Sequence, residues 1–224
     1  MSAAGKHLAR LIEQGEHDQQ DFKFAINDSK KIARSIAAFA NTRGGRLLIG
    51  VKDNGNIAGV RSDEEFYMIE AAANLYCQPT VPFEWKEWQV NGKSVLEIII
   101  APGNERPYQA PNKDGKPWAY VRVRDQNLPA NPVLIKAWRQ IKHSRGALFN
   151  MSGPEKILID YLNEHANISK SRFIRIAAIK PHQADKILVN LLTANLIRTH
   201  ISEKEVTYSM IREDEAVDAL RFFE

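Results

Sequence analysis

The sequence predicts an α+β protein in two parts, and three observations carry that prediction. A helix-spaced apolar stretch, Ile32 to Ala40, stops at Gly44-Gly45 and reverses into the short apolar run Leu47, Leu48, Ile49 and Val51. Two strand-like segments, Phe83 to Val90 and Ser94 to Ala101, meet across Asn91-Gly92, the strongest short hairpin signal in the chain. After a polar linker, the pattern changes to three helical segments followed by a second hairpin.

Composition bounds the rest. The 224 residues suffice for one large domain or two small ones. A hydrophobic content of 44% with 26% charged residues belongs to a soluble globular chain. No apolar run reaches the roughly 18 residues of a membrane span, and the charged start MSAAGKHLARLIEQG leaves no secretory apolar core. The single cysteine, Cys77, excludes an internal disulfide and a cysteine zinc cluster. These bounds predict a cytoplasmic protein without a membrane partner. Net charge is +4, and the excess of cations falls within residues 1–150. An excess that small supports an anionic partner only alongside a fold argument.

Taken in order, residues 3–14 predict an amphipathic helix on Leu8, Leu11 and Ile12, ending near Gly15. Glu16 follows in a polar loop, and Asp21 to Phe24 reads as a brief strand. Asp28 or Ser29 caps the central helix, whose small Ala33, Ala37 and Ala38 allow a neighbour to approach closely. Gly44 and Gly45 are expected to supply positive φ for the reversal. The strand after them has an all-apolar pattern, the mark of burial on both faces. It runs into the turn Asp53-Asn54-Gly55. Ser62 to Glu65 opens a further helix with Phe66, Ile69 and Ala73 inward, closed by Pro79. Residues 102–117 predict a long exposed loop.

In the strand from Trp118 to Arg124, Tyr120, Arg122 and Arg124 alternate with Val121 and Val123. Two readings stand side by side here: a half-exposed strand with solvated arginines, or a cationic strand that contacts phosphates bidentately. Asn131 then caps a helix through Trp138 and Ile141. In the second part, helices are expected to bury Ile157, Leu158, Tyr161 and Leu162, then Phe173, Ile174 and Ala177, then Ala184, Ile187, Leu188 and Leu191. A hairpin around Ser202-Glu203-Lys204 completes the order of a winged helix-turn-helix. On its third helix His182, Gln183, Lys186 and Asn190 stand opposite the core face, as donors to bases or phosphates. Domain limits are therefore 1–146 for the α+β domain, 153–212 for the winged helix, and 213–224 for an acidic terminal helix.

The ordered combination in residues 10–130 resembles the Schlafen family's Alba-type (AlbA-2) domain. The carrying residues are Glu16, Asp21-Phe22-Lys23, Ala38-Phe39-Ala40-Asn41-Thr42, Gly44-Gly45 and Gly50-Val51-Lys52-Asp53. Asp21 stands where the family pattern has Glu. The resemblance implies an Alba-type mixed domain and a DNA or RNA partner. It also carries the acidic residues of Schlafen-type ribonucleases onto Glu16, Asp21 and Asp53, with Lys23 beside them. Three hard oxygen ligands would suit Mg2+ or Mn2+, and such an ion could generate hydroxide. The plainer alternative pairs Lys23 with one acid and leaves the others solvated. No Gly-x4-Gly-Lys-[Ser/Thr] sequence supplies an ATP phosphate cradle.

The leading expectation is a DNA-binding transcriptional regulator, using Lys23, Arg122, Arg124, His182, Gln183 and Lys186 on the nucleic acid. The alternative is a divalent-metal-dependent endoribonuclease using Glu16, Asp21 and Asp53. A homodimer is expected from the usual two-fold symmetry of helix-turn-helix proteins and the apolar pair Phe222-Phe223.

Overall fold

The computed structural model describes residues 3–143, 151 and 153–211. The predicted terminal helix and Phe222-Phe223, and most of the linker after residue 143, lie outside the described residues. Two compact units result, Met1–Pro129 and Ala130–Glu224.

The first unit is layered around one helix. Helix α1 (Ala3–Glu13) covers one face of a four-stranded sheet made from β1 (Gln20–Lys23), β2 (Gly45–Ile49), β3 (Glu84–Val90) and β4 (Lys93–Ile100). Strand order is β1-β2-β4-β3, with β1 parallel to β2 and the other pairs antiparallel. Helix α2 (Ser29–Asn41) packs against the three-stranded sheet of β5 (Gln109–Pro111), β6 (Pro117–Val123) and β7 (Gln126–Pro129). Helix α3 (Glu64–Ala71) runs on into a π-helical turn, Ala72–Tyr76, which also rests on α2.

Strand β2 is covered on both faces, as its unbroken apolar run requires. Leu47 and Ile49 join a core with Ile36, Phe39 and Ile98, while Leu48 and Val51 join Leu8, Leu11 and Phe22 on the other side. Helix α2 is buried almost all round, and its alanines are what let sheet and strands close on it from different sides. Asp28 caps it, accepting from the Lys30 and Lys31 N–H groups. The two glycines after α2 turn out to do different work. Gly44 has φ +70, the left-handed turn residue, whereas Gly45 is needed for space. A Cβ on Gly45 would stand 2.5 Å from the Phe39 ring and 2.9 Å from the Gln19 carbonyl.

The 102–117 stretch is less irregular than expected, because β5 forms inside it. Asn41 is the reason. Its Nδ2 donates to the Tyr108 and Tyr120 carbonyls, and its Oδ1 accepts from the Tyr108 N–H. One buried amide at the end of α2 thus pins β5 and β6. At the Asn91-Gly92 turn both residues have positive φ, 51 and 73, as a primed hairpin turn demands.

The second unit begins with α4 (Pro132–His143), which the sequence reading grouped with the first. Its Val133, Leu134 and Trp138 are buried, and it packs on α7 (Pro181–Thr193). Lys136 pairs with Asp185 and Gln140 donates to Asn190 across that contact. The amphipathic face of α4 therefore decides its placement. Helices α5 (Gly153–Glu164) and α6 (Lys170–Ala177), with strands β8 (Ile168–Ser169), β9 (Ile197–Ile201) and β10 (Val206–Met210), make up the rest of the unit's described elements. The sheet order is β8-β10-β9, antiparallel throughout. Ile157, expected inside, is 41% exposed, because α5 turns Leu158 and Leu162 inward instead.

Candidate functional site

The first cluster of sequence-predicted residues forms where β1 faces α2. Alternation along β1 sends Phe22 toward α1, so Asp21 and Lys23 take the opposite face. Asp21 is only 3% exposed. Its Oδ1 lies 3.3 Å from Arg122 Nη2, and its Oδ2 lies 2.8 Å from Lys23 Nζ. The Lys23 contact has the distance of an ion pair but not the angle of a hydrogen bond, leaving Oδ2 buried without one. Glu16 folds over from its loop, and its Oε1 accepts the Phe22 N–H at 2.8 Å. Burial first, and the adjoining Asp21 carboxyl second, push the Glu16 carboxyl above its ordinary pKa.

Arg122 departs from the phosphate-facing role. It is 4% exposed, and its guanidinium donates to the His17 and Gln20 carbonyls and to Asn127 Oδ1. The Phe39 ring lies beneath it at 5.2 Å. An exposed strand face was expected from the alternation, but α2 and β1 cover this one. Five planar donors suit a position that must satisfy several carbonyls and a carboxylate together. Tyr120 is buried as well. Arg124 leaves the strand altogether: it sits exposed in the β6–β7 turn with φ 55.

Asp53 does not join the cluster. The parallel ladder sets Asp21 opposite Leu47, and Asp53 lies beyond the end of β2 in an exposed turn closed by the Gly55 N–H on the Lys52 carbonyl. Among the described residues no group of three His, Cys, Asp or Glu side chains could hold a metal ion. An Mg2+ or Mn2+ ion held by Glu16, Asp21 and Asp53 would require Asp53 to be drawn in from its exposed turn. Lys23 and Arg122 supply the positive charge that a cation would otherwise bring to Asp21.

Elsewhere the first unit leaves cations in the open. Phe24, just past β1, is 41% exposed, and two basic side chains lie over its ring: Lys52 Nζ at 5.3 Å and Arg61 Cζ at 5.1 Å. Arg61 forms no ion pair among the described residues. The pattern was hard to find in the sequence, since the three residues come from separate segments.

In the second unit His182 and Lys186 are exposed on α7. Gln183 is committed locally, its Oε1 accepting the Lys180 N–H in a capping box. Asn190 is held by Gln140. Asp185, the acid among these polar residues, is bound by Lys136 at 3.1 Å and Lys170 at 2.9 Å. Burial works to raise its carboxyl pKa, but the hydrogen bonds from the two lysines outweigh it, and the net shift is downward.

Comparison with known proteins now adds to the geometry. The family model described as Schlafen, AlbA_2 matches residues 16–131, more than half of the chain. The chain belongs to the Schlafen AlbA_2 family. Two solved structures are similar to it at 20% identity. One is the DIP2311 protein from Corynebacterium diphtheriae, with a TM-score of 0.42, covering 62% of this chain and 29% of that one. The other, solved by solution NMR, is the N-terminal domain of a RecG-related protein from Nitrosomonas europaea, with a TM-score of 0.39 and coverage of 68% and 98%. The chain thus spans less than a third of the DIP2311 protein. No curated relative matches it. Within the AlbA_2 region, Glu16, Asp21 and Lys23 meet at β1, Asn41 pins β5 and β6, and Gly45 leaves room for Phe39. What the sequence reading missed there was Arg122 as Asp21's buried partner, with Asn127 behind it.

Among the described residues no helix is long and apolar enough to cross a membrane.

Proposed function

We propose that the chain is a nucleic-acid-binding protein that acts as a DNA-binding regulator, with binding rather than cleavage as the work of its AlbA_2 domain. The observation that carries this is the exposed Phe24 with Lys52 and Arg61 over it, on a domain whose family membership is established. An exposed ring flanked by unsatisfied cations offers phosphate attraction and a stacking surface together. The endoribonuclease alternative asks Asp53 to stand with Glu16 and Asp21, and the binding reading is preferred because Asp53 lies in an exposed turn beyond the end of β2.

The second unit fits the reading as a winged helix. Three helices, α5 to α7, precede the β9–β10 hairpin, and β8 adds the third strand between α5 and α6. In such a unit α7 is the helix that enters a major groove, led by its N-terminal side chains. His182 and Lys186 are the contacts it would offer, with Gln183 reaching a base only by giving up its cap. Lys136 and Lys170 neutralise Asp185, which removes the repulsion an acid would bring there. Two such units in a homodimer would read half-sites about one helical turn apart.

The test is titration of a labelled 30-base-pair duplex and its single strand by fluorescence anisotropy at 50 mM and 200 mM salt, with chelator present. Binding that weakens steeply with salt is expected, as counterion release requires. Failure to bind either at 50 mM salt would remove the reading. Light scattering on the duplex complex checks the homodimer: one protein chain per duplex at tens of micromolar would contradict it.

A further inference from the structure

Beside the Phe24 cations, the first unit opens a pocket of about 330 Å³ between the Val60–Asp63 segment, α3 and the edge strand β3. Its lining is unusual in combining one cation, two acids and three rings: Arg61, Asp63, Phe66, Tyr67, Trp85 and Glu87. Trp85 is 50% and Tyr67 64% exposed, although Phe66 packs at 5.0 Å from Trp85 and gives the pocket an apolar base. Large rings left half uncovered at the mouth of a pocket provide flat surface that a ligand can reach.

The polar groups are arranged as acceptors. Glu87 Oε1 already accepts from Gln89 Nε2 and Ser94 Oγ, while Oε2 takes no hydrogen bond among the described residues. Asp63 occupies the N-cap position of α3 but makes no capping hydrogen bond there. Ionised carboxylates only accept. A ligand matched to the pocket therefore has a flat π-face and carries an amino group at its edge. Two acids repel phosphate inside, whereas Arg61, which lines the pocket and also lies over Phe24, attracts it outside. Those requirements together describe one unpaired nucleotide of a strand whose backbone follows Lys52 and Arg61.

We propose that this pocket binds an unpaired, amino-bearing base (cytosine, adenine or guanine) of a single-stranded nucleic acid by stacking on Trp85 and Tyr67. The inference rests on the nucleic-acid-binding reading and narrows it to single strands at this site. Glu87 and Asp63 accept from the exocyclic amino group, and thymine or uracil, which presents a carbonyl at that edge, meets two carboxylates instead. A base paired in a duplex keeps its amino group and its face to itself, so the pocket rejects duplex.

The experiment uses the full chain and labelled dC12, rC12, dT12 and a mixed-sequence duplex, followed by anisotropy at 50 mM salt. The expected result is tighter binding of C12 than of dT12. Trp85→Ala loses about tenfold or more for C12, as removal of a stacking ring does, and leaves duplex binding unchanged. Glu87→Gln, whose amide can also donate, narrows the gap between dC12 and dT12. Tyr67→Ala, on an exposed helix position, repeats the Trp85 result should the edge strand be disturbed, and circular dichroism melting confirms each fold. The tighter of dC12 and rC12 identifies the backbone used. Equal affinity for dC12 and dT12, or wild-type C12 binding by both folded ring variants, overturns the pocket while nucleic-acid binding itself stands. Absence of binding to every strand and duplex overturns both.

Discussion

Two charged regions of the AlbA_2 domain look alike in sequence and opposite in structure. Around Asp21, Arg122 is buried and Lys23 half-buried, both donating to backbone carbonyls and both beside the Asp21 carboxylate, while Glu16 accepts the Phe22 N–H. Around Phe24, Lys52 and Arg61 face outward. The basic residues of a nucleic-acid-binding candidate cannot be counted as one pool, because some are structural. Arg122 is buried because three carbonyl and amide oxygens and a carboxylate converge where α2 covers β6. Arg61 remains available because it pairs with no carboxylate among the described residues and lies over the Phe24 ring instead.

The largest effect expected from this contrast is on stability. Arg122→Ala leaves Asp21 without its Oδ1 partner in a buried site, and loss of about 3–5 kcal/mol in urea or thermal unfolding should follow. Arg122→Lys should recover little of it, since one ammonium cannot reach His17, Gln20, Asn127 and Asp21 together. A loss below about 1 kcal/mol would mean that the buried cluster is not what holds β1 to β6. Gly45→Ala comes next, at about 1–3 kcal/mol, because its methyl would overlap the Phe39 ring.

Glu16 sharpens the contrast through pH. Its folded pKa is raised above the ordinary 4.5, so the folded state holds the proton more tightly than the unfolded one. That contribution is present below pH 4.5 and is lost as pH rises through the folded pKa. Stability from this group therefore falls with pH just above 4.5, and Glu16→Gln should remove that portion of the slope. A Glu16→Gln profile parallel to wild type across that window would contradict the assignment. Smallest on this scale are Arg61→Gln and Lys52→Gln, exposed changes expected to move unfolding by no more than about 0.5 kcal/mol.

Much of the fold was legible because it rests on local rules. The Asp28 cap, the Asn91-Gly92 turn, the two-sided burial of β2 and the order of helices α5 to α7 each follow from residues close in sequence. Gly45 was legible as a glycine requirement but not as a steric one, since Phe39 meets it only after the chain reverses. The candidate site was less legible. Glu16, Asp21 and Lys23 lie within a few residues and do meet. Asp53 was grouped with Glu16 and Asp21 by the family resemblance, and the ladder register sets Leu47 opposite Asp21. Arg122 and Arg124 were read from alternation alone, which gives a face without saying what covers it. Trp85, Tyr67 and Arg61 carry no local motif, and only the packing of α3 beside β3 brings them to one pocket.

The most direct test of the division between sealed and open cations is the salt dependence of single-strand binding. Log Kobs against log salt should be linear for the wild type, and Lys52→Gln and Arg61→Gln should each lower the slope by about 0.7, the value for one phosphate contact on a single strand. Both variants should retain wild-type unfolding. Slopes unchanged in both variants would contradict the account, because the phosphate contacts would then have to come from other cations of the chain.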